Sequence, residues 1–497
     1  MLAEPQRQPR LERETSPPAA TAPYFAGDVR SFELTRIGWV ARLFRQRWFQ
    51  FAVILPNQII FWVALIGGFI GTVDPTRSFG TAITWYFWFF AVLAGALMVG
   101  RVWCQICPFG GFAEWIQRLT PWGRRERGLT LNRRWPERWA VWGIIPGALV
   151  FYLLTWVEEY YNVVGPGKPI YTSYLIIFVF ALAIGTFSVF GRRTFCRYLC
   201  PLSAPVGIFS TVGVLSGFRT RDRERCLSCD TKECMRGSKV SYGCPWFEFP
   251  GSNATNQGCG LCTECFKGCP NDNVGLYLQP PLTNVHSPGK RRWDVAWALV
   301  LLWGIGWYQQ WNALSWFSNA RGTGIDDRLN RLTGWPHYPN PLGYLLLTGG
   351  VAAGYYLYSR AAARWAGADW RRLFTAGAYA LIPVVGADYL ARQLPKLWDH
   401  VTRVITTASD PFGLGWNLFG TARLPIYHTR LLPPGGVVAT QVAVMAIATA
   451  AAGWAAWRIW RRDWGGERPR VLGALALAVL AAGAYTAVMY VAMQAAE

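Results

Sequence analysis

The chain has 497 residues, of which 52% are apolar and only 15% are charged, and it contains 28 tryptophans. Soluble domains carry about a quarter charged residues, so this composition argues against a water-soluble globular protein. The formal net charge of +21 would suit a nucleic-acid-binding protein, but the positions of the basic residues argue against that class.

The first 48 residues form a basic tail, which we predict to be cytoplasmic and partly disordered. Its first 23 residues contain no apolar core of the kind that a signal peptide requires, and they bury too little surface to offset chain entropy. The segment Ile37–Trp48 alternates arginine with Trp, Phe and Leu. It is either an amphipathic helix on the membrane surface or an ordinary basic flank.

Nine segments carry almost no charge and approach the roughly 20 residues that span a bilayer as a helix. In chain order they are Phe49–Gly71, Gly80–Gly100, Trp139–Val157, Ser173–Phe190, Asp294–Phe317, Leu342–Tyr358, Phe374–Leu390, Gly436–Trp457 and Val471–Met493. We therefore predict an all-α polytopic membrane protein with about nine transmembrane helices. A four-helix membrane core occupies residues 49–218 and a five-helix membrane domain occupies residues 293–497.

The basic residues fall on alternate connections between these segments. With the N-terminus inside, the connection Arg101–Arg138 holds eight Arg and three Glu, and Gly191–Arg292 is also dense in Arg and Lys. The next outer loop, Glu158–Thr172, holds two glutamates and a single lysine. This is the positive-inside pattern. It predicts a multi-pass protein of the inner, cytoplasmic membrane, in contact with lipid, and no nucleic-acid partner.

Eight of the 12 cysteines lie in residues 219–292, here called the insert, which we predict to be a cytoplasmic ferredoxin-like domain. Its later run is Cys259-x2-Cys262-x2-Cys265-x3-Cys269-Pro270. This spacing matches bacterial ferredoxins, in which three close cysteines hold one 4Fe–4S cube and the fourth reaches the neighbouring cube. A zinc ion instead prefers two separated Cys-x2-Cys pairs.

Crossed ligation divides the insert cysteines into two groups of four. The first thiol group is Cys226, Cys229, Cys234 and Cys269. The second thiol group is Cys244, Cys259, Cys262 and Cys265. We predict two 4Fe–4S clusters, one in each group, with structural zinc as the alternative.

The remaining four cysteines, here called the helix-end cysteines, follow the second and fourth predicted helices. They are Cys104 and Cys107 before Pro108, and Cys196 and Cys200 before Pro201. Both pairs lie at the same predicted membrane face, so they are able to converge into one four-thiolate site. Its occupant is open: a further iron–sulfur cluster, Cu(I) or zinc, a dithiol–disulfide pair, or no ligand at all.

The stretches RVWCQICPFGGFAEW and RRTFCRYLCPLSAPVGIFS, followed by the double-cluster insert, resemble the NapH/NosR/CcoG family of polytopic membrane ferredoxins. The resemblance covers about residues 49–292 and implies membrane electron transfer. NapH-like proteins pass quinol electrons toward periplasmic reductases, NosR supports nitrous oxide reduction, and CcoG-like proteins reduce copper. The five C-terminal helices have no counterpart in this family.

A quinone is the predicted membrane-soluble partner. The chain holds only four histidines, and no two stand on facing predicted helices as a bis-histidine haem requires. Polar groups inside membrane spans are costly and often functional. The candidates for a quinone or proton site are Asn57, Gln58, Gln309, Gln310, Asp388 and Arg392. Asp388 and Arg392 are four residues apart and are equally able to form a simple ion pair.

These observations predict an iron–sulfur electron-transfer protein, such as a quinol dehydrogenase component, that moves electrons between the quinone pool and a protein redox partner. Basic residues of the insert are candidates for docking an acidic partner, namely Lys232, Arg236, Lys239 and Lys267. Two alternatives remain: a cupric or other metal reductase or assembly factor that uses the helix-end cysteines, and a redox-sensing transporter.

Overall fold

The computed structural model describes residues 31–120, 129–163, 168–286, 291–314, 317, 324–424 and 431–496. The disorder predicted for the first 23 residues lies outside this part of the chain. The described helices, in chain order, are α1 Gly38–Arg45, α2 Phe49–Ile70, α3 Phe79–Met98, α4 Trp103–Ile106, α5 Pro108–Arg118, α6 Glu137–Ala140, α7 Ile145–Tyr160, α8 Pro169–Val189, α9 Thr194–Tyr198, α10 Ser203–Phe209, α11 Arg223–Leu227, α12 Glu233–Arg236, α13 Glu264–Lys267, α14 Thr283–His286, α15 Trp293–Asn312, α16 Ile325–Thr333, α17 Pro341–Ala366, α18 Trp370–Ala391, α19 Leu394–Ser409, α20 Pro434–Asp463 and α21 Pro469–Ala496. The four short strands are β1 Phe32–Glu33, β2 Arg219–Thr220, β3 Val274–Gly275 and β4 Tyr277–Leu278.

Six helices in the described residues are long and apolar enough to cross a membrane: α2, α3, α8, α18, α20 and α21. A helix occupies most of each of the nine predicted segments, but α7, α15 and α17 fall outside this set. Helix α7 has only 16 residues, and α15 and α17 are rich in Trp, Tyr and Gly, which lower their hydropathy. The chain is thus a helical, multi-pass membrane protein, and the count of nine spans stays a prediction.

Helix α18 is the centre of the C-terminal half, because 89% of its apolar 18-residue stretch is buried inside the protein. Ala376, Ala378 and Ala380 have no exposed surface, and such small side chains let neighbouring helices approach closely. The core around α18 also contains Leu93 of α3 and Phe209 of α10. The two predicted membrane domains therefore share one packed core.

The N-terminal segment packs on the insert. Strand β1 pairs antiparallel with β4, and β2 pairs with β3. Helix α1 turns Phe44 toward the rings of Phe218 and Phe266, with centroids 6.3 and 6.5 Å away, and Arg45 forms an ion pair with Asp272 at 2.7 Å. The segment predicted as a surface helix or basic flank is therefore a helix whose apolar side covers the insert.

Helix α19 has no counterpart among the nine predicted segments. It is amphipathic, with Leu394 and Leu397 buried and several polar residues on its other side, so its sequence lacks the length of apolar chain that marks a span. It packs beside the π-helical middle of α3, Ala82–Trp88. This position brings Lys396 into the interior.

Candidate metal centres and an adjoining cavity

The structure brings the four members of the second thiol group together in a buried loop. Burial and then the neighbouring thiolate of Cys244 raise the pKa of Cys262 to about 12. The backbone N–H of Phe218 donates to Cys259 Sγ at 3.4 Å, and that of Glu248 donates to Cys244 Sγ at 3.4 Å. The sequence between the cysteines permits this tight winding, since Leu261 and Thr263 both adopt left-handed backbone conformations.

The four members of the first thiol group also lie together. Burial raises the pKa of Cys234 to about 12, and Cys226, Cys269 and Cys229 contribute in the same direction. The backbone N–H of Asn273 donates to Cys269 Sγ at 3.2 Å. Cys229 is less buried than Cys226 and Cys234, and a hydrogen bond with Thr231 lowers its pKa. Cys234 therefore interacts with the three cysteines that are expected to share its cluster, and crossed ligation itself stays a prediction.

These donor sets fit iron–sulfur cubes better than single ions. In the described residues, no three Cys, His, Asp or Glu side chains converge closely enough to hold one metal ion. Four thiolates around one zinc ion would have to meet within about 2.3 Å of it, whereas a cube takes one thiolate on each of four separate irons and so holds its ligands farther apart. The backbone N–H groups aimed at the sulfurs also suit a cluster, because such hydrogen bonds tune its potential.

The helix-end cysteines converge as well. Cys196 lies near enough to Cys104, Cys107 and Cys200 for their thiolate charges to interact, and Arg101 Nε donates to Cys104 Sγ at 3.1 Å. The pairs contributed by the two halves of the four-helix core therefore form one cluster of four thiols, which we call the helix-end site.

The helix-end site lies beside the interior of α2 and not beside the first turn of that helix. Asn57 Nδ2 donates to the carbonyl oxygen of Ile106 at 3.2 Å, and the ring of Phe109 packs 5.0 Å from that of Phe61. Residue 57 is eight positions, about 12 Å, along α2 from Phe49. The chain around Cys107 therefore folds back beside the first span instead of leaving it.

Three arginines join the helix-end site to the insert. The backbone N–H of Arg193 donates to the carbonyl of Pro245 at 3.1 Å, Arg192 Nη1 donates to the carbonyl of Cys244 at 3.0 Å, and Arg197 Nη1 donates to that of Trp246 at 2.5 Å. Cys196 consequently packs in one apolar cluster with Cys244, Cys262 and Trp246. The helix-end site and the second thiol group are neighbours.

Arg193 also holds the helix-end site through a buried ion pair. Its Nη2 lies 2.7 Å from Glu114 Oε2, and the two side chains are 0% and 3% exposed. Its Nη1 donates to the carbonyl of Cys104 at 2.9 Å. One residue thus fixes both cysteine motifs to each other.

We expect Arg193→Met to lower the free energy of unfolding by about 3 kcal/mol, the lower end for a broken buried ion pair, because Glu114 loses one of its two partners and keeps Arg118. Denaturant unfolding of the detergent-solubilised protein measures this. Arg36→Met is the matched control, since Arg36 is 79% exposed in its pair with Glu33 and is expected to cost at most about 1 kcal/mol. Equal effects of the two changes would contradict the structural role of Arg193.

A cavity of about 450 Å³ lies between the four-helix core and the C-terminal half and is lined by residues of both. One end is lined by residues of the cysteine motifs, including Trp103, Pro108 and Pro201. The other end is charged and is lined by Glu158, Glu159, Arg392, Gln393 and Lys396. Between the ends the walls are aromatic and aliphatic.

The predicted quinone-site residues divide into two sets. The cavity wall includes Asn57, Gln309 and Arg392 and does not include Gln58, Gln310 or Asp388. Asp388 is 1% exposed and accepts hydrogen bonds of 2.7 Å from both Gln310 and Tyr490. Its Oδ2 lies 3.5 Å from Arg392 Nε, so the structure favours the alternative of a simple buried ion pair for Asp388.

Gln58 lies beside a cysteine motif. With its side-chain amide oriented to satisfy both partners, it donates to the carbonyl of Pro108 at 3.2 Å and accepts from Trp62 Nε1 at 2.9 Å. Asn57 and Gln58 thus both tie α2 to the chain around Cys107. Sequence analysis missed Glu158, Glu159, Gln393 and Lys396 as cavity residues, because their convergence depends on α19.

Comparison with known proteins gives matches to part of the chain. A protein-family model, Fer4_5, described as a 4Fe-4S binding domain, matches residues 81–130 and 172–210. These stretches contain the four helix-end cysteines and not the insert. No solved structure matches the chain.

Two curated proteins are similar over about a third of the chain. Protein NirI of Paracoccus denitrificans is 31% identical over 192 residues, which cover 35% of this chain and 26% of NirI. The uncharacterized protein MJ0750 of Methanocaldococcus jannaschii is 28% identical over 189 residues, which cover 36% of this chain and 73% of that protein. The chain therefore spans only about a quarter of the length of NirI. Together with the cysteine geometry, these matches support an iron–sulfur family of the ferredoxin type.

Proposed function

We propose that this protein transfers electrons between a membrane-soluble quinone and a protein redox partner through iron–sulfur sites, as the resemblance to NapH- and NosR-like proteins implies. The observation that carries the proposal is the continuity of the cavity, the helix-end site and the insert. Pro108 and Pro201 line the cavity, each directly follows a helix-end cysteine, and Cys196 packs with Cys244 and Cys262.

The residues of the chain suit this role in three ways. The cysteines supply thiolates, and the buried backbone N–H groups of Phe218, Glu248 and Asn273 stabilise them. Arg101 and Arg193 place positive charge beside the helix-end site, where it favours a more negative, reduced state. An iron–sulfur cluster bound there would accept one electron at a time. The two electrons of a hydroquinone would therefore leave in two successive steps.

The first thiol group is suited to face the partner protein, because Cys229 and Cys269 are partly exposed, whereas all four members of the second thiol group are buried. Arg236 and Lys239 are exposed nearby and are retained as candidates for docking an acidic surface. Lys267 is not: its side chain is 3% exposed and paired with Glu264 at 3.0 Å. Lys232 lies over the ring of Phe249, 4.9 Å from its centroid.

The test is reduction of the anaerobically purified, oxidised protein by a decyl-tailed benzohydroquinone. The visible iron–sulfur absorbance is expected to bleach on addition of the hydroquinone, as it does with dithionite. Bleaching by dithionite with none by the hydroquinone would overturn the assignment of a quinone-type carrier.

A further inference from the structure

The charged end of the cavity combines groups from three parts of the chain. Glu158 and Glu159 come from the end of α7, Lys396 from α19, and Arg392 and Gln393 from the turn between α18 and α19. Lys396 and Arg392 both interact with Glu158. Such a concentration of charge in an otherwise apolar cavity is costly and needs a compensating role.

Two polar atoms in this wall lack a partner among the described residues. Gln393 is 8% exposed, and its Oε1 accepts no hydrogen bond. The side chain of Arg392 is 9% exposed, and its Nη2 donates none. Buried polar atoms are nearly always satisfied, and Arg392 and Gln393 are consecutive residues that both line the cavity. The unpartnered donor and acceptor therefore indicate a ligand that offers an acceptor and a donor in return.

The two neighbouring carboxylates differ in their surroundings. Glu159 accepts hydrogen bonds at 3.4 Å from Gln309 and from Asn312. Glu158 accepts no side-chain hydrogen bond from the described residues and interacts with Lys396, Glu159 and Arg392 through charge. The other titratable groups near the pair are the phenols of Tyr308, Tyr338 and Tyr344. Glu158 is therefore the carboxylate that remains available to a bound molecule.

The charged end is connected both to the helix-end site and to the surface. A Cβ added to Gly147 would come within 2.8 Å of the carbonyl oxygen of Cys200, so α7 passes directly against that motif. Glu158 is eleven residues, about 16 Å, farther along α7. Asn162, which also lines the cavity, is exposed and gives this end a contact with water.

We propose that the charged end binds the oxygen-bearing ring of the carrier, with Arg392 and Gln393 as hydrogen-bonding partners, and that Glu158 accepts its protons; this inference rests on the proposed function. Oxidation of a hydroquinone breaks two O–H bonds and forms a quinone. The two electrons would leave singly to iron–sulfur clusters held by the cysteine groups, and each proton passes to the Glu158 carboxylate and from there to water near Asn162. Lys396 stabilises the carboxylate between the two transfers.

Binding is tested without electron transfer. Trp85, Trp88 and Trp103 line the cavity, so decyl-benzohydroquinone, whose O–H groups can donate to Gln393 Oε1, is expected to quench the tryptophan fluorescence of the dithionite-reduced protein saturably. Gln393→Leu is expected to weaken binding about tenfold, as the loss of one buried hydrogen bond does. Gln441→Leu is the matched control, because Gln441 is buried and bonded to the carbonyl of Ala391 at 3.0 Å but lies outside the cavity wall.

The proton role is tested with Glu158→Gln, which keeps the shape of the side chain and removes the base. We expect it to bind the hydroquinone almost as the wild type does and to slow reduction of the oxidised protein by the hydroquinone by about 10²-fold, the lower range for loss of a general base. Glu467→Gln, an exposed carboxylate elsewhere, should leave both unchanged.

The outcomes separate the two proposals. If the wild type shows no saturable quenching and no reduction by the hydroquinone, the quinone function and this inference both fail. If the wild type binds and is reduced while Gln393→Leu and Glu158→Gln behave like their controls, only the inference fails.

Discussion

Alanine at both Cys259 and Cys262 is expected to remove about four iron atoms per chain, the content of one cube. The two residues provide half of the second thiol group, and both are buried, at 8% and 5% exposure, so water replaces them poorly as a ligand. Iron and sulfide counting on anaerobically purified protein measures the loss. Electron paramagnetic resonance should show that the first thiol group keeps its cluster.

Crossed ligation makes a finer form of this prediction. Cys265 and Cys269 are four residues apart, yet the structure places them in different groups. Cys269→Ala should abolish the same resonance signal as Cys234→Ala, and Cys265→Ala should abolish the other. Ser228→Ala is the control, because Ser228 is an exposed residue between two ligands. Full retention of iron in the alanine variants, or stoichiometric zinc in the wild type, would contradict the iron–sulfur assignment.

The thiol groups were predictable from sequence because their geometry is local. Three cysteines within seven residues, Cys259 to Cys265, can reach one cluster only by winding around it, and the next cysteine then points away. The largest charge interactions of Cys234 and Cys265 follow the same division of the insert cysteines, and the ligation of two clusters stays a prediction. Helical spans were predictable for the same reason, since length and apolarity are properties of one segment.

The cavity was not predictable, because its wall depends on long-range packing. Lys396 belongs to α19, an amphipathic helix with no span signature, and meets Glu158 only after α19 has packed beside α3. Asp388 is the converse case: a charge inside a span suggests function, but its carboxylate lies outside the cavity wall. Its Oδ1 accepts from Gln310 and Tyr490, and its Oδ2 lies 3.5 Å from Arg392 Nε. The folding back of the chain around Cys107 beside α2 is likewise invisible in the sequence pattern.

Alanine at both Cys104 and Cys196 should block electron transfer from the hydroquinone to the insert. The pair provides one thiol from each motif of the helix-end site, which lies between the cavity and the second thiol group. If the helix-end site holds a cube, about four further iron atoms are lost, against about twelve in the wild type. Reduction of the insert by the decyl-tailed hydroquinone, followed by visible absorbance in stopped flow, is expected to lose most of its rate.

Dithionite provides the control for that variant, because it is a soluble reductant with direct access to the less buried first thiol group. It should bleach the insert absorbance in the variant as it does in the wild type, which shows that the insert has folded and kept its clusters.

Unchanged hydroquinone oxidation together with loss of Cu(II) reduction would instead favour a metal reductase acting at the helix-end cysteines. Solute transport that survives alanine at Cys259 and Cys262 would favour a transporter, since the insert would then serve only to sense redox state. In the proposed function, electrons from the hydroquinone reach the insert only through the helix-end site. The rate at which the hydroquinone reduces the insert therefore distinguishes this function from the two alternatives.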